Sequence, residues 1–372
     1  MKTVLHIIDT TGPGGAETVF IDLVSHISKD KYRSIVTIRG KGWVYEELLR
    51  RGIEPVLLDA KGSFNWRFLL KLCQLIKKEK VDLIQSHLLG SSVYSSLASL
   101  ITRIPVVATF HGLVDIGENE RLQGLKIGAI NLGVNSVVAV SKMLQDDILR
   151  RTSLKKNKTK IIYNGISTKG FQKPHSNFLR EKYGWSENDF IIGCLGNIRP
   201  AKGYDILLNA AALLKNNTDK SYRFVIAGQP DREGKLYESL LKQRGELGLD
   251  ERVQFLGFLD DQAEFLANLD LFLSSSISEG LPLSAIQAMA ANLPLLATRC
   301  GGYEELVTHQ QDGWLVEVAN PKAITEAIEI LAQDLDLRLG LAMRAKQHVT
   351  KTFDINVMIK AYESTYDDVL TS

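Results

Sequence analysis

The feature that most constrains the fold is a regular alternation along the chain. Short runs of β-branched and apolar residues are each followed by a segment of helical period, recurring roughly every 25–30 residues, as βαβ units require. In the first half the strand candidates are 3–8, 34–38, 54–58, 83–86, 106–109, 136–140 and 160–163. In the second half they are 190–195, 223–227, 253–256, 271–274, 295–298 and 314–316. The pattern predicts an α/β protein with doubly wound parallel sheets. At 372 residues the chain is too long for one such core and suits two. The break is expected near Ile166–His175, where a strand ends in Asn164-Gly165 and a polar stretch with Gly170 and Pro174 follows. The expected domains are therefore 1–170 and 171–352. A last amphipathic helix, 353–372, carries Met358, Ala361, Tyr362, Tyr366 and Val369 on one face and is expected to cross back to the first domain. Two such domains would face an interdomain cleft between the carboxyl ends of their strands, where open parallel sheets bind ligands.

Composition narrows the function class. With 45% hydrophobic and 24% charged residues the chain is globular, and no apolar run approaches the roughly 20 residues of a membrane span. The apolar start, Met1 to Ile8, is short for a signal peptide and reads as a first buried strand. Cys73, Cys194 and Cys300 show no CxxC spacing, so neither a metal nor a disulfide framework is expected, and a reducing cytoplasm is the default. No nucleic-acid partner is expected. Residues 1–170 carry 25 Lys and Arg against 15 Asp and Glu, whereas 171–372 carry 20 against 28. Opposite signs either give the halves different partners or help them associate.

Five loops carry the candidate chemistry, each just past a strand's carboxyl end. Thr10-Thr-Gly-Pro-Gly14-Gly15-Ala-Glu17 opens a helix, and glycines there let the backbone approach an anion at a positive helix end. It is not GxGxxG, and no acidic residue closes the second strand. Thr109-Phe-His111-Gly112 offers an imidazole that can hydrogen-bond a sugar hydroxyl, with His87 a weaker candidate. Gly196-Asn197-Ile-Arg199-Pro-Ala-Lys202-Gly203 sets two cations at a helix start, fit for a pyrophosphate. Ser278-Glu279-Gly280-Leu-Pro282 leads into a helix running through Leu283, Ile286 and Met289 and containing Ser284 and Gln287, with Pro282 at a first-turn position. Its amides suit phosphate oxygens and the Glu279 carboxylate suits sugar hydroxyls. Gly301-Gly302 with Glu304 and Glu305 extends the same wall. Taken singly, the first loop is explained by a tight turn, the lone His111 by a structural or surface role and the basic loop by a solvated turn, whereas the Glu279 loop is longer and richer than capping needs. Together they describe a site for a phosphate-bearing, hydroxyl-rich ligand.

At these residues the chain resembles the retaining GT-B glycosyltransferases of family 4, built from two Rossmann-like domains. Gly14-Gly15-Ala16-Glu17 is similar to the family's GGAE loop, Thr109-Phe-His111-Gly112 to its TxHG, and Ile162-Tyr-Asn164-Gly165-Ile166 to its YNGI. Gly196 to Gly203 is similar to GRLxxxKG, Ser278-Glu279-Gly280-Leu-Pro282 with Ala288-Met289-Ala290 to SxxEGxPxxxxEAMA, and Gly301-Gly302 with Glu304 or Glu305 to GGxxE. The resemblance implies transfer of a hexose-type sugar from a nucleoside-diphosphate sugar, with retention of anomeric configuration. The acceptor would be a glycan or lipid-linked intermediate of cell-surface polysaccharide assembly. It implies that Lys202 contacts the diphosphate, with help from amides near Leu283 and Ser284 and in the Gly14-Gly15 loop. Glu279 and Gly280 would meet the donor sugar, and His111 would lie near it. No metal or other cofactor is expected, because cations and helix ends neutralise the leaving diphosphate. Two departures bear on the donor: Gln287 stands where the family has a ribose-binding glutamate, and Asn197 where it has arginine, with Arg199 two residues on. The first predicts weaker or altered nucleotide preference and not inactivity, and for the second Arg199 is expected to supply the missing cation. Ser167 and Asn292 also depart from the pattern, without a reading.

The acceptor is expected on the first domain, whose basic balance suits a lipid-linked or polyanionic molecule at an anionic membrane. The segment 64–80, apolar on one face and basic at its end, reads first as a packed helix and second as a peripheral membrane contact. The expected location is the cytoplasm, with the inner face of the cell membrane as an extension. The rival readings are a non-catalytic nucleotide-sugar-binding protein and a GT-B-fold nucleotide-sugar epimerase.

Overall fold

The computed structural model describes residues 1–59, 64–112, 122–214, 221–231 and 233–371. They form two compact units, Met1–Gly165 with the chain from Ile355 onward, and Ile166–Asp354. The chain enters the second unit before residue 170 because Ile166 bridges Asp354 and donates its amide to the Phe353 carbonyl at 2.9 Å.

The first unit holds a parallel sheet of β1 (Lys2–Ile8), β2 (Tyr32–Ile38), β3 (Val56–Leu57), β4 (Leu83–His87), β5 (Val106–Phe110), β6 (Ser136–Ala139) and β7 (Thr159–Ile161), in the order β3-β2-β1-β4-β5-β6-β7. The order reverses between β1 and β4, which makes that junction the switch point where loops part to either side. Both faces of the central strands are covered, so β1 is buried from Thr3 to Ile8 and β4 along its whole length. The segment expected at 54–58 contracts to the edge strand β3. Only Thr37–Val56 and Ile38–Leu57 pair there, and both β3 residues stay exposed.

The last helix, Ile355–Thr371, completes this unit. Its buried face carries Met358, Ile359, Tyr362 and Tyr366. Tyr362 Oη lies 3.1 Å from Thr109 Oγ1, Tyr366 Oη 3.1 Å from Gln85 Oε1, and Glu363 accepts the Ser28 amide at 3.0 Å. In the 64–80 segment the helix runs Trp66–Lys78, and Asn65 caps it by accepting the Phe68 amide. Phe68, Leu72, Cys73 and Ile76 pack into the core, while Phe64, Trp66 and Leu70 remain exposed.

The second unit repeats the design with β8 (Phe190–Leu195), β9 (Tyr222–Ala227), β10 (Val253–Gly257), β11 (Leu271–Ser274), β12 (Leu295–Thr298) and β13 (Trp314–Val316), in the order β10-β9-β8-β11-β12-β13. All pairings are parallel, and the switch point lies between β8 and β11. Its core interleaves these strands with the helices Tyr204–Leu213 and Pro321–Gln333, through residues such as Leu207, Phe224, Leu273 and Ile328.

Candidate functional site

In the second unit three of the five predicted loops lock together past β8, β11 and β12. The Ile277 amide donates to the Ala201 carbonyl at 2.8 Å, and Ser275 Oγ donates to the Lys202 carbonyl at 3.0 Å. Gly203 makes this approach possible. Its φ is 59°, and a Cβ there would overlap the Ser275 carbonyl. The Gly302 amide donates to the Glu279 carbonyl at 3.0 Å, and a Cβ on Gly302 would overlap the Gly280 carbonyl.

This scaffold sets Lys202 against Glu279, with Nζ 2.6 Å from Oε1. Ser276 Oγ donates to the same carboxylate oxygen at 2.8 Å and lies 3.0 Å from Ser274 Oγ. Thr298 Oγ1 donates to the Ser276 carbonyl and anchors the loop to β12. The two charged side chains retain 20% and 15% of their exposure, so the pair is only partly screened by water yet remains accessible. Beside it begins the helix Leu283–Ala290. Pro282, expected in its first turn, is instead the residue that caps it, because ψ of 97° holds it outside the helix. Ala285 and Ile286 both donate to the Pro282 carbonyl. The amides of Leu283 and Ser284 have no protein acceptor among the described residues, so the positive end of this helix offers two N–H groups.

The other predicted donor residues of this unit are placed differently. Gly280 lies in the loop packed under Gly302. Asn197 accepts the Gln229 amide through Oδ1 at 3.1 Å, so its side chain tethers the loop after β9. Arg199 is exposed and makes no ion pair among the described residues. The fold therefore sets Lys202, not Arg199, against the carboxylate. Gln287 is buried in the helix, and its amide has no hydrogen-bond partner among the described residues.

In the first unit the helix Gly15–His26 follows β1. Gly14 is its extended cap, accepting from the Thr18 amide at 3.0 Å and the Thr18 hydroxyl at 2.9 Å. The Glu17 carboxylate folds back over Gly14, so this helix end already carries an anion of its own. His111 follows β5, with its ring stacked on His87 at 5.1 Å between centroids and its Nε2 2.8 Å from His87 Nδ1. Burial pulls the His111 imidazole down to about 3 and His87 well below its ordinary value, so both rings are neutral near pH 7. His87, the weaker candidate in the sequence, is the fully buried last residue of β4.

Gln85 and Ser276 were not marked by sequence reasoning, and Tyr366 was marked only as part of the apolar face of the last helix. One signal was present: a strand buried on both faces normally reads as an apolar run, yet β4 carries Gln85, Ser86 and His87. Ser276 and Tyr366 left no comparable trace, because a serine in a loop and a tyrosine on a helix face are ordinary.

Two doubly wound units, each with its polar loops gathered at a switch point, define the class: a GT-B glycosyltransferase architecture. Residues 13–169 match the family model Glycosyltransferase Family 4, and residues 175–348 match Glycosyl transferases group 1. The chain belongs to this family and is a glycosyltransferase. It is 28% identical to N-acetyl-alpha-D-glucosaminyl L-malate synthase of Bacillus anthracis over 81% of this chain and 78% of that protein. It is also 28% identical to the capsular polysaccharide biosynthesis glycosyltransferase CapM of Staphylococcus aureus, over 85% and 84%. In structure it is similar to Anabaena HepE in complex with UDP-glucose, with a TM-score of 0.89 at 24% identity over 99% of this chain and 100% of that one.

Proposed function

We propose that the second unit binds a nucleoside-diphosphate sugar of hexose type and that the enzyme transfers the sugar with retention of configuration. The observation that carries this reading is the Lys202–Glu279 pair beside the open Leu283 and Ser284 amides, at the switch point of the sheet. In this reading the diphosphate draws Lys202 and the two amides, and the sugar hydroxyls take Glu279 with Ser276 behind it. Positive charge from the lysine and the helix end stabilises the leaving diphosphate without a metal ion. UDP-glucose is the first donor to test, since HepE is described in complex with it. The acceptor is a glycan or lipid-linked intermediate of polysaccharide or glycolipid assembly, in keeping with the names of CapM and of the N,N'-diacetylbacillosaminyl-diphospho-undecaprenol alpha-1,3-N-acetylgalactosaminyltransferase of Campylobacter jejuni, 25% identical to this chain.

A peripheral contact of the first unit with an anionic membrane, at the cytoplasmic face, belongs to the same proposal. It is supported by exposed Phe64, Trp66 and Leu70 beside Arg67, Lys71, Lys77 and Lys78. Among the described residues no helix is long and apolar enough to cross a membrane.

The test is a thermal-shift screen of UDP, GDP and ADP and their sugars, followed by transfer assays with the stabilising donor, with and without EDTA. Stabilisation by one nucleotide class and EDTA-resistant turnover with a retained anomer are expected. Stabilisation without turnover of any donor would favour a non-catalytic binding protein, and loss of turnover restored by a divalent cation would overturn the metal-free reading. Liposome flotation without recovery on anionic vesicles would overturn the membrane contact.

A further inference from the structure

We propose that Gln85 and His87 are positioning residues that hold His111 in a single tautomer, its proton on Nδ1, and that the last helix sets this lock through Tyr366. Hydrogen-bond polarity fixes where the protons sit. The Gln85 amide nitrogen lies 3.2 Å from the Ser86 carbonyl, which can only accept, so the nitrogen is the atom on that side. Tyr366 Oη donates to the opposite atom, Gln85 Oε1, at 3.1 Å. The same amide nitrogen faces Thr109 Oγ1 at 2.9 Å and His87 Nε2 at 3.2 Å. An amide nitrogen cannot accept, so the His87 Nε2 that faces it carries no proton, and the proton of the neutral ring sits on Nδ1. That N–H points at His111 Nε2, 2.8 Å away, which must then accept. A neutral His111 carries its proton on Nδ1.

Two further observations fit a built device. All three imidazoles of this region, His6, His87 and His111, are kept neutral by burial, so the relay is not broken by a charge near pH 7. Leu88, directly after His87, sits at φ 72° and ψ 164°, a region entered almost only by glycine, and its amide is tied to the Thr109 carbonyl at 3.0 Å. The backbone is strained where the chain must turn while keeping His87 under His111.

The chemical consequence rests on the reading that His111 serves sugar transfer. Through Nδ1 it acts as a hydrogen-bond donor to an oxygen and does not take a proton from one.

The test uses the full chain labelled with 15N-histidine and a long-range 15N–1H correlation near pH 7, with His111→Asn assigning the signal. The expected result is one His111 tautomer protonated on Nδ1. In Gln85→Leu and Tyr366→Phe the preference should weaken by about fivefold, the net worth of one hydrogen bond. kcat should fall in parallel, and donor KM should stay unchanged. A His111 protonated on Nε2, or a preference untouched by Gln85→Leu, would overturn the lock. Should Gln85→Leu not fold, the parent spectrum and Tyr366→Phe decide. If the spectra agree but His111→Ala transfers at the normal rate, the role in transfer is overturned while the tautomer assignment stands.

Discussion

Lys202 Nζ and Glu279 Oε1 lie 2.6 Å apart, and Ser276 Oγ bonds the same carboxylate oxygen. The two side chains neutralise each other; in the proposed function a donor draws the lysine toward phosphate and the carboxylate toward sugar. Glu279→Ala should lower kcat/KM about 100-fold or more, as expected for removal of a group used in the transition state. The fold should be intact by circular dichroism, and nucleoside diphosphate should bind as well as before. Lys202→Ala should instead weaken nucleoside diphosphate binding itself. Near-normal transfer by Glu279→Ala would remove it from the site, and isothermal titration separates the two effects.

The Gly302 amide supports the Glu279 carbonyl, and its Cα packs on the Gly280 backbone with no room for a methyl group. Gly302→Ala should therefore push the Glu279 loop out of place at a stability cost of about 1–3 kcal/mol, the usual range for overpacking. Activity should drop further than the fraction of unfolded protein explains. A variant with parental melting temperature and turnover would show that the loop yields freely.

Gln287 is buried with no hydrogen-bond partner for its amide among the described residues. Replacing it by the glutamate the family carries introduces a charged acceptor, and hydrogen bonds to ionised groups are roughly twice as strong as neutral ones. Gln287→Glu should tighten nucleoside diphosphate binding by about fivefold or more, with the change lost for a 2′,3′-dideoxy analogue. Equal affinity for both analogues in both proteins would sever Gln287 from the ribose.

His6 and His111 are each pulled by burial from the ordinary 6.5 to about 3, and His87 well below 6.5. Native rings stay neutral while unfolded ones take up protons below about 6.5, so this stability is fully present above 6.5 and is lost as the pH falls toward 3. Each ring removes about 1.4 kcal/mol per pH unit in that window. Asp9 and Asp22, raised by burial, act in the opposite sense nearer the carboxylate range. Urea midpoints measured from about pH 7.5 to about pH 5.5 should fall, and His6→Asn should flatten the slope. A flat parental profile would show that these rings are not buried neutral.

The order of elements was legible in the sequence because it is a local property. The central parallel strands, covered on both faces, are short and mostly apolar runs, and the crossover helices show their period, so the thirteen strand segments match those of the described residues. The loops were legible for a related reason, since glycines, Pro282 and helix starts mark the carboxyl ends of strands. What those loops do to one another was decided by tertiary structure alone. Lys202 and Glu279 stand 77 positions apart, and Tyr366 meets Gln85 across 281. No periodicity links such residues. The ion pair exists because the sheet order sets β8 beside β11, and the His111 tautomer is set by hydrogen-bond polarity that runs through a helix returning from the far end of the chain.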